Sequence, residues 1–235
     1  MPNVYCVTRY RNDISPAEKW GNTIELVESP ISPFATDRMA WNIAPQLDLF
    51  QPEDYFLLTG PVSGYVIGSL LLFDKHESLN VLRYDPIKSD YAPEIVRTVP
   101  GLKLEPSKYP PGRIFVLNFI GHPIFSALDY ANPDIPRSDR VVTLTTGDID
   151  QSDIAGITER IVHRMRDFQD GDMVLLSGPA ILNPILAAVI HSYQANAHLL
   201  LYNPKRSEYH LRNINLTHLR MTADLAIKEA QQAVA

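Results

Sequence analysis

Short apolar and β-branched runs alternate along the chain with longer stretches in which apolar residues recur every three or four positions. NVYCVT (3–8), TIELVE (23–28), RIFVLNF (113–119) and VVTLTT (141–146) read as strands. Met39, Ile43, Leu47 and Phe50 fall at helical spacing, with Pro45 expected to kink that helix or delay its start. Ile154, Ile157, Ile161, Met165 and Phe168 form a cleaner helical stripe, with Ser152 as the expected N-cap. Buried strands are expected at 55–59 and 173–177, each followed by a small-residue loop and an apolar helix (about 64–76 and 184–195). A further strand (79–84, 198–202) leads to a turn at Asp85-Pro86 or Asn203-Pro204, then to an edge strand or tail through Tyr91 or Tyr209.

The two series of elements are copies. DYFLLTGP (54–61) and DMVLLSGP (172–179) lie 118 residues apart, and so do YDPIKSDY and YNPKRSEY. The register holds without a gap from Phe50/Phe168 to Tyr91/Tyr209, and 13 of those 42 positions are identical. Upstream the order of elements persists, with several extra residues needed near 130–139 in the second copy. Strands alternating with helices predict an α/β protein: two tandem Rossmann-like α/β repeats with parallel or mixed sheets, plus a C-terminal helix. The expected division is a first repeat (1–97), a linker with four prolines (98–112), a second repeat (113–216) and a terminal helix (217–235). That helix carries Leu219, Ala223, Ile227, Ala230 and Val234 on one face, has no counterpart in the first half, and is expected to pack across the pair.

Composition narrows the function classes. A net charge of −6 and a pI near 5.6, with no dense basic stretch, argue against a nucleic-acid binder. The most basic run, Arg160 to Arg166, follows the helix period with Glu159 and Asp167 beside it and reads as a solvated face. Cys6 is the single cysteine, so no intrachain disulfide forms. The start lacks a signal pattern, and the apolar stretch from Val174 to Ile190 is interrupted by Gly178, Pro179, Asn183 and Pro184. The expectation is a cytoplasmic protein with no membrane partner. No motif points to a cofactor.

Open α/β sheets bind ligands beyond the carboxyl ends of their strands, at loops entering helix N-termini. The repeated loops are such places, and the candidate ligand-binding residues are Thr59, Gly60, Ser63, Asn118, His122, Ser177, Gly178 and Asn183. Ser63 is the expected cap of one helix; Asn183-Pro184 are the expected cap and first residue of the other. Ordinary turn chemistry is the alternative, since neither GxGxxG nor GxxxxGK[ST] is present. Gly60, Gly64 and Gly68 recur every four residues, for core packing or for close approach at an interface. Asp148, Asp150 and Asp153 form an acidic cluster, read as capping chemistry in preference to a metal site. His122 is the best single candidate for acid–base chemistry, but no Ser-His-Asp or Cys-His grouping assembles, and an enzyme is the weakest reading.

Two resemblances add to this. PFATDRMAWNIAPQL, PEDYFLLTGP and LNVLRYD resemble short single-domain phage proteins of unknown function, over residues 4–97 and more weakly 114–212. The order of strand, Thr/Ser-Gly turn, apolar helix and strand ending in Tyr is similar to CRISPR-associated Rossmann-fold sensor domains. That resemblance implies cyclic oligonucleotide binding across a twofold axis, although Thr59-Gly60-Pro61 and Ser177-Gly178-Pro179 lack the second Gly and the Thr-Lys of that pattern. Two readings follow. In one, the chain is a phage accessory protein whose halves form a pseudo-dimer that binds a small anionic, nucleotide-like ligand, such as a host-defence signal, with Lys88, Lys205 and Arg206 as nearby cations. In the other, it contacts a host protein, as a virion component or an inhibitor, through an apolar patch near Trp20, Trp41 or the linker. Either reading admits a homo-oligomer.

Overall fold

The structure, a computed structural model, describes residues 1–9, 13–27, 31–119 and 124–234. The first half runs β1 (Asn3–Cys6), a 3-10 turn (Ser15–Trp20), β2 (Asn22–Glu25), α1 (Thr36–Leu47), β3 (Tyr55–Leu57), α2 (Val62–Phe73), β4 (Ser78–Asp85) and β5 (Asp90–Arg97). The second runs β6 (Ile114–Phe119), 3-10 turns at Phe125–Tyr130 and Arg137–Asp139, β7 (Val141–Thr146), α3 (Ile154–Met165), β8 (Met173–Leu175), α4 (Leu182–Tyr193), β9 (Ala197–Asn203) and β10 (Glu208–Ile214). Helix α5 (Leu216–Val234) closes the chain. The result is an α/β fold of two similar halves, each with a five-stranded mixed sheet. The compact units are residues 1–98 with 216–235, and residues 99–215.

Both sheets have one topology. The first is ordered β2-β1-β3-β4-β5 and the second β7-β6-β8-β9-β10, parallel except for the final antiparallel hairpin. Strand pairing extends the duplication beyond the segment where residues match. Val4 pairs with Thr23 and Tyr55, and Ile114 pairs with Val141 and Met173. Thr23/Val141 and Tyr55/Met173 are each 118 apart, whereas Val4/Ile114 are 110 apart. The first 3-10 turns, beginning at Ser15 and Phe125, keep the spacing of 110, so the eight extra residues of the second copy fall between Tyr130 and Val141.

Alternation along the parallel strands fills two apolar layers. Val4, Cys6, Leu57 and Leu82 pack with Ile14 and Ala17 under the first 3-10 turn; Ile114, Val116, Met173, Leu175 and Leu200 pack with Ala127 and Ala131 under the equivalent turn. On the opposite face of the first sheet, α2 lies so close that a Cβ on Gly64 would stand 2.8 Å from Val7 and one on Gly68 2.6 Å from Phe56. The glycine stripe therefore seats the helix on its own sheet. Pro45 sits inside α1, whose Met39, Ile43 and Leu47 are buried as their spacing predicts. α5 packs on α1 and α2 of the first unit, and Arg220 forms a bidentate pair with Asp74 at 2.7–3.0 Å. No helix among the described residues is long and apolar enough to cross a membrane.

The repeated polar residues hold the fold together. Asp54 accepts from the backbone N–H of Asn3 (2.6 Å) and Gln51 (2.9 Å), tying the start of β1 to the turn before β3. Asp172 does the same with Gly112 (3.0 Å), Arg113 (2.9 Å) and Gln169 (3.2 Å), and adds the Arg113 guanidinium at 2.9 Å. The YDPIKSDY repeat is a hairpin. Tyr84 faces Tyr91 and Tyr202 faces Tyr209, with ring centroids 5.4 and 5.2 Å apart. Asp85 and Asn203 accept turn N–H groups, from Ile87 at 3.0 Å and Lys205 at 3.1 Å. Each turn ends on a serine in left-handed backbone, Ser89 at φ 51° and Ser207 at φ 54°. Glycine removes the Cβ penalty there, so Ser89→Gly and Ser207→Gly are each expected to raise stability by about 0.5–1 kcal/mol in urea denaturation. A loss of stability in both would show that the serine side chains, not the backbone, fix the turn.

Candidate functional site

The order β2-β1-β3-β4-β5 places a topological switch point between β1 and β3. There the chain leaves β1 toward one edge of the sheet and later returns across it to β3, opening a crevice at the carboxyl ends of the two strands. In the second half the switch point lies between β6 and β8. The residues at these two places are Thr8 with Thr59-Gly60, and Asn118 with Ser177-Gly178.

At the second switch point Asn118 is fully buried. Its backbone N–H donates to Ser177 Oγ at 3.2 Å, and the Ser177 hydroxyl donates back to the Asn118 carbonyl at 2.5 Å. Asn118 Nδ2 reaches the Gly147 carbonyl at 3.4 Å, while Oδ1 has no partner. Gly178 turns beside it at φ 89°, with space for no side chain: a Cβ would stand 2.6 Å from Asn118 Cβ. Asn183 is the second residue of α4, its Nδ2 donating to the Ala180 carbonyl at 3.0 Å with its own Oδ1 buried and unpartnered. His122 lies outside the described residues, as does Glu28.

The first switch point uses different chemistry on the same frame. Gly60 has φ 108°, and its Cβ position is 3.0 Å from Thr8 Cγ2. The Thr8 hydroxyl and the Arg9 N–H both donate to Glu25 Oε1, at 3.0 and 2.7 Å. The Arg9 guanidinium reaches Thr23 Oγ1 at 2.5 Å and the Thr23 carbonyl at 3.3 Å. Thr59 Oγ1 is buried without a partner. The Tyr65 hydroxyl donates to the Gly60 carbonyl at 2.8 Å, and burial raises its pKa.

Three capping expectations are corrected. Ser63 is the second residue of α2, whose N-cap is Pro61, and its hydroxyl donates to the Pro33 carbonyl at 2.7 Å. α4 begins at Leu182 with Ile181 as N-cap, so Asn183 and Pro184 stand inside the first turn, where proline needs no N–H. The cap of α3 is Asp153, accepting from the Gly156 N–H at 2.9 Å, while Ser152 bonds to Asp150. Asp150 and Asp153 of the acidic cluster are thus engaged in turn and cap bonds, and no metal-binding group forms among the described residues. Neither α2 nor α4 has a side-chain cap. At α4 the Leu182 and Asn183 N–H groups donate to the Pro179 and Ala180 carbonyls and Pro184 has no N–H; at α2 the Gly64 N–H donates to the Pro61 carbonyl.

Lys88, Lys205 and Arg206 sit in the β4–β5 and β9–β10 turns, at the carboxyl ends of β4 and β9 and so on the same edges as the switch points. Lys88 lies 3.8 Å from Asp85 and Arg206 3.6 Å from Glu208. Cys6 is buried on β1, and burial pushes its thiol up to about 11, which removes it as a nucleophile at neutral pH. Described histidines are dispersed: His210 lies beside Asn203 and Glu208, His218 beside Asp37, and His76 against Phe50. Two features had no signal in the sequence. Phe119 follows Asn118 and is exposed at the sheet edge, and the Arg9–Glu25–Thr23 group depends on pairing across strands.

Fold and edge define the class: one chain carrying two copies of a switch-point α/β unit, each with small polar residues at the crevice. Residues 3–98 match the family described as "Phage Pam3 gp32-like protein". No curated protein matches the chain. Among solved structures, the chain is similar to the SAVED/CARF-domain containing receptor Cap4 of Acinetobacter baumannii with the cyclic trinucleotide 2'3'3'-cAAA, at 12% identity and a TM-score of 0.48, covering 91% of this chain and 51% of that one. A second structure of that receptor matches at 11% identity and a TM-score of 0.46, with 90% and 49% covered. The chain therefore spans about half the length of the receptor structures it matches. The phage-protein resemblance read from the sequence recurs over residues 3–98.

Proposed function

We propose that this is a binding protein of phage origin whose ligand, a small anionic and nucleotide-like molecule, is held at the carboxyl-end crevices of its duplicated sheets. The observation that carries the reading is the set of buried, unpartnered side-chain oxygens there: Thr59 Oγ1 in the first half, Asn118 Oδ1 and Asn183 Oδ1 in the second. A buried polar atom left without a partner costs about 1–3 kcal/mol, so its retention at a crevice favours an incoming partner. Amide oxygens accept from base amino groups or ribose hydroxyls. The positive end of the α2 dipole and the cations of the edge suit phosphate. The match of residues 3–98 to a phage family supports a role in the infected cell, where the ligand class includes host-defence nucleotides.

Thermal unfolding against mono-, di- and cyclic nucleotides, including 2'3'3'-cAAA, tests this. A ligand at a hundred times its Kd should stabilise the protein by about 2.7 kcal/mol. Thr59→Val and Asn118→Leu keep the volume and delete the unpartnered oxygens, so at least one should abolish the shift. Thr59→Val is also expected to leave the ligand-free protein unharmed, because it deletes an unpaired hydroxyl. If no nucleotide shifts the wild type, the ligand reading fails. The second reading, a protein-interaction role, then rests on Trp41 of α1, which is partly exposed beside Pro45 and beside Ala226, Ala230 and Ala233 of α5. Trp41→Ala would be the variant to compare in co-purification with host proteins.

A further inference from the structure

We infer that β7 is the contact strand of a symmetric dimer, in which two copies of this chain join their second-unit sheets edge to edge and antiparallel. β7 is the outermost strand of its sheet. The Ile114 N–H donates to the Arg140 carbonyl at 2.7 Å, so alternation turns the N–H and C=O groups of Val141, Thr143 and Thr145 away from β6. No backbone bond to that outer side forms among the described residues.

The other edges are guarded, and this one is open at Val141 and Thr143, while Thr145 is buried. At the equivalent strand β2, only four residues long, Arg9 donates to the carbonyl of Thr23, one of the outward groups. Pairing aligns Thr23 with Val141 and Arg9 with Phe119, so β7 lacks that cover. β5 carries Pro93, Glu94 and Arg97, and β10 carries His210 and Arg212. VVTLTT has six residues with neither proline nor charge, the kind of edge that invites another strand.

Charge selects a second copy as that strand. Asp148 and Asp150 stand beyond the carboxyl end of β7. α3 returns antiparallel to it: Arg160 stays within 3.9 Å of Asp153 at the acidic end, Glu159 stands beside it, and His163 and Arg164 lie further back toward the amino end. All of these line one pocket of about 590 Å³ between β7 and α3. The edge is acidic at one end and basic at the other. A twofold axis through the middle of β7 sets the acidic end of each copy against the basic end of its partner, twice. A parallel arrangement would set like against like.

Sedimentation velocity over a wide concentration range, on the full chain, tests this. The wild type should dimerise. Thr143→Pro deletes an outward N–H at a position where an edge strand tolerates proline, and should give a monomer with unchanged circular dichroism. Asp148→Arg and Arg164→Glu should each weaken the dimer by about tenfold, and the double charge swap should restore it to within about threefold. The swap keeps the test independent of any misfolding caused by proline. A wild type that stays monomeric overturns the inference. So does a dimer indifferent to Thr143→Pro and to both charge reversals, since it uses another surface.

Discussion

Asp172→Ala is expected to unfold the second half of the chain at denaturant concentrations where the first half remains intact. Asp172 is fully buried and its partner Arg113 nearly so, and the carboxylate is tied to three backbone N–H groups as well as the guanidinium. Removing one member of a buried ion pair strands the other charge, at a cost of about 3–5 kcal/mol. Asp167 stays near Arg113 at 2.8 Å and recovers part of this, but it does not hold the start of β6. No cation pairs with Asp54 among the described residues, so Asp54→Ala loses hydrogen bonds to Asn3 and Gln51 and is expected to cost about 1–3 kcal/mol. The two variants are separable because Trp20 and Trp41, the only tryptophans, both belong to the first unit. Urea unfolding of Asp172→Ala should show a circular-dichroism transition that precedes the tryptophan signal. In Asp54→Ala the tryptophan signal itself should move. Equal shifts of both signals in the Asp172 variant would mean that the clamp is not local to its half.

The clamp also shows what the sequence could and could not disclose. Identical Gln51/Gln169 and Asp54/Asp172 are visible as a repeat, and the fold class follows from strands and helices whose periodicities are clean. The partner Arg113 carries no signal, because it reaches Asp172 from a residue 59 positions away. The same limit applies to the gap-free register from Thr23/Val141 onward, which becomes visible only when strand pairing aligns dissimilar residues. Helix starts were misplaced for a local reason. Asn183-Pro184 and Ser63 have capping composition, but the apolar demand of burying α2 and α4 draws both helices back by two residues. β5 exceeded the expected tail because Pro93 sits on an edge strand, where a missing N–H breaks no ladder bond. Of the candidate site, the pairing of Asn118 with Ser177 was legible as position at the sheet edge. Arg9 reaches across to Thr23 of β2, a contact that only strand pairing reveals.

Gly178→Ala should cost about 3 kcal/mol, far more than its conservative appearance implies. Two penalties coincide there: a positive φ of 89°, and a Cβ position 2.6 Å from Asn118 Cβ in a fully buried neighbour. Gly101→Ala separates them, since its φ of 79° carries the backbone penalty into open space, and about 1 kcal/mol is expected. Gly60→Ala should fall between, because the obstructing atom is the Thr8 methyl at 3.0 Å, at the end of a short side chain. The ranking Gly178, Gly60, Gly101 in urea midpoints therefore measures how tightly each switch point is closed. Pushing Asn118 aside also opens its reciprocal bonds with Ser177, so the Gly178 variant should lose any nucleotide-dependent stabilisation that Gly101→Ala retains. If Gly178→Ala melts like Gly101→Ala and still responds to ligand, Asn118 is free to move, and a crevice pre-shaped by that residue is ruled out.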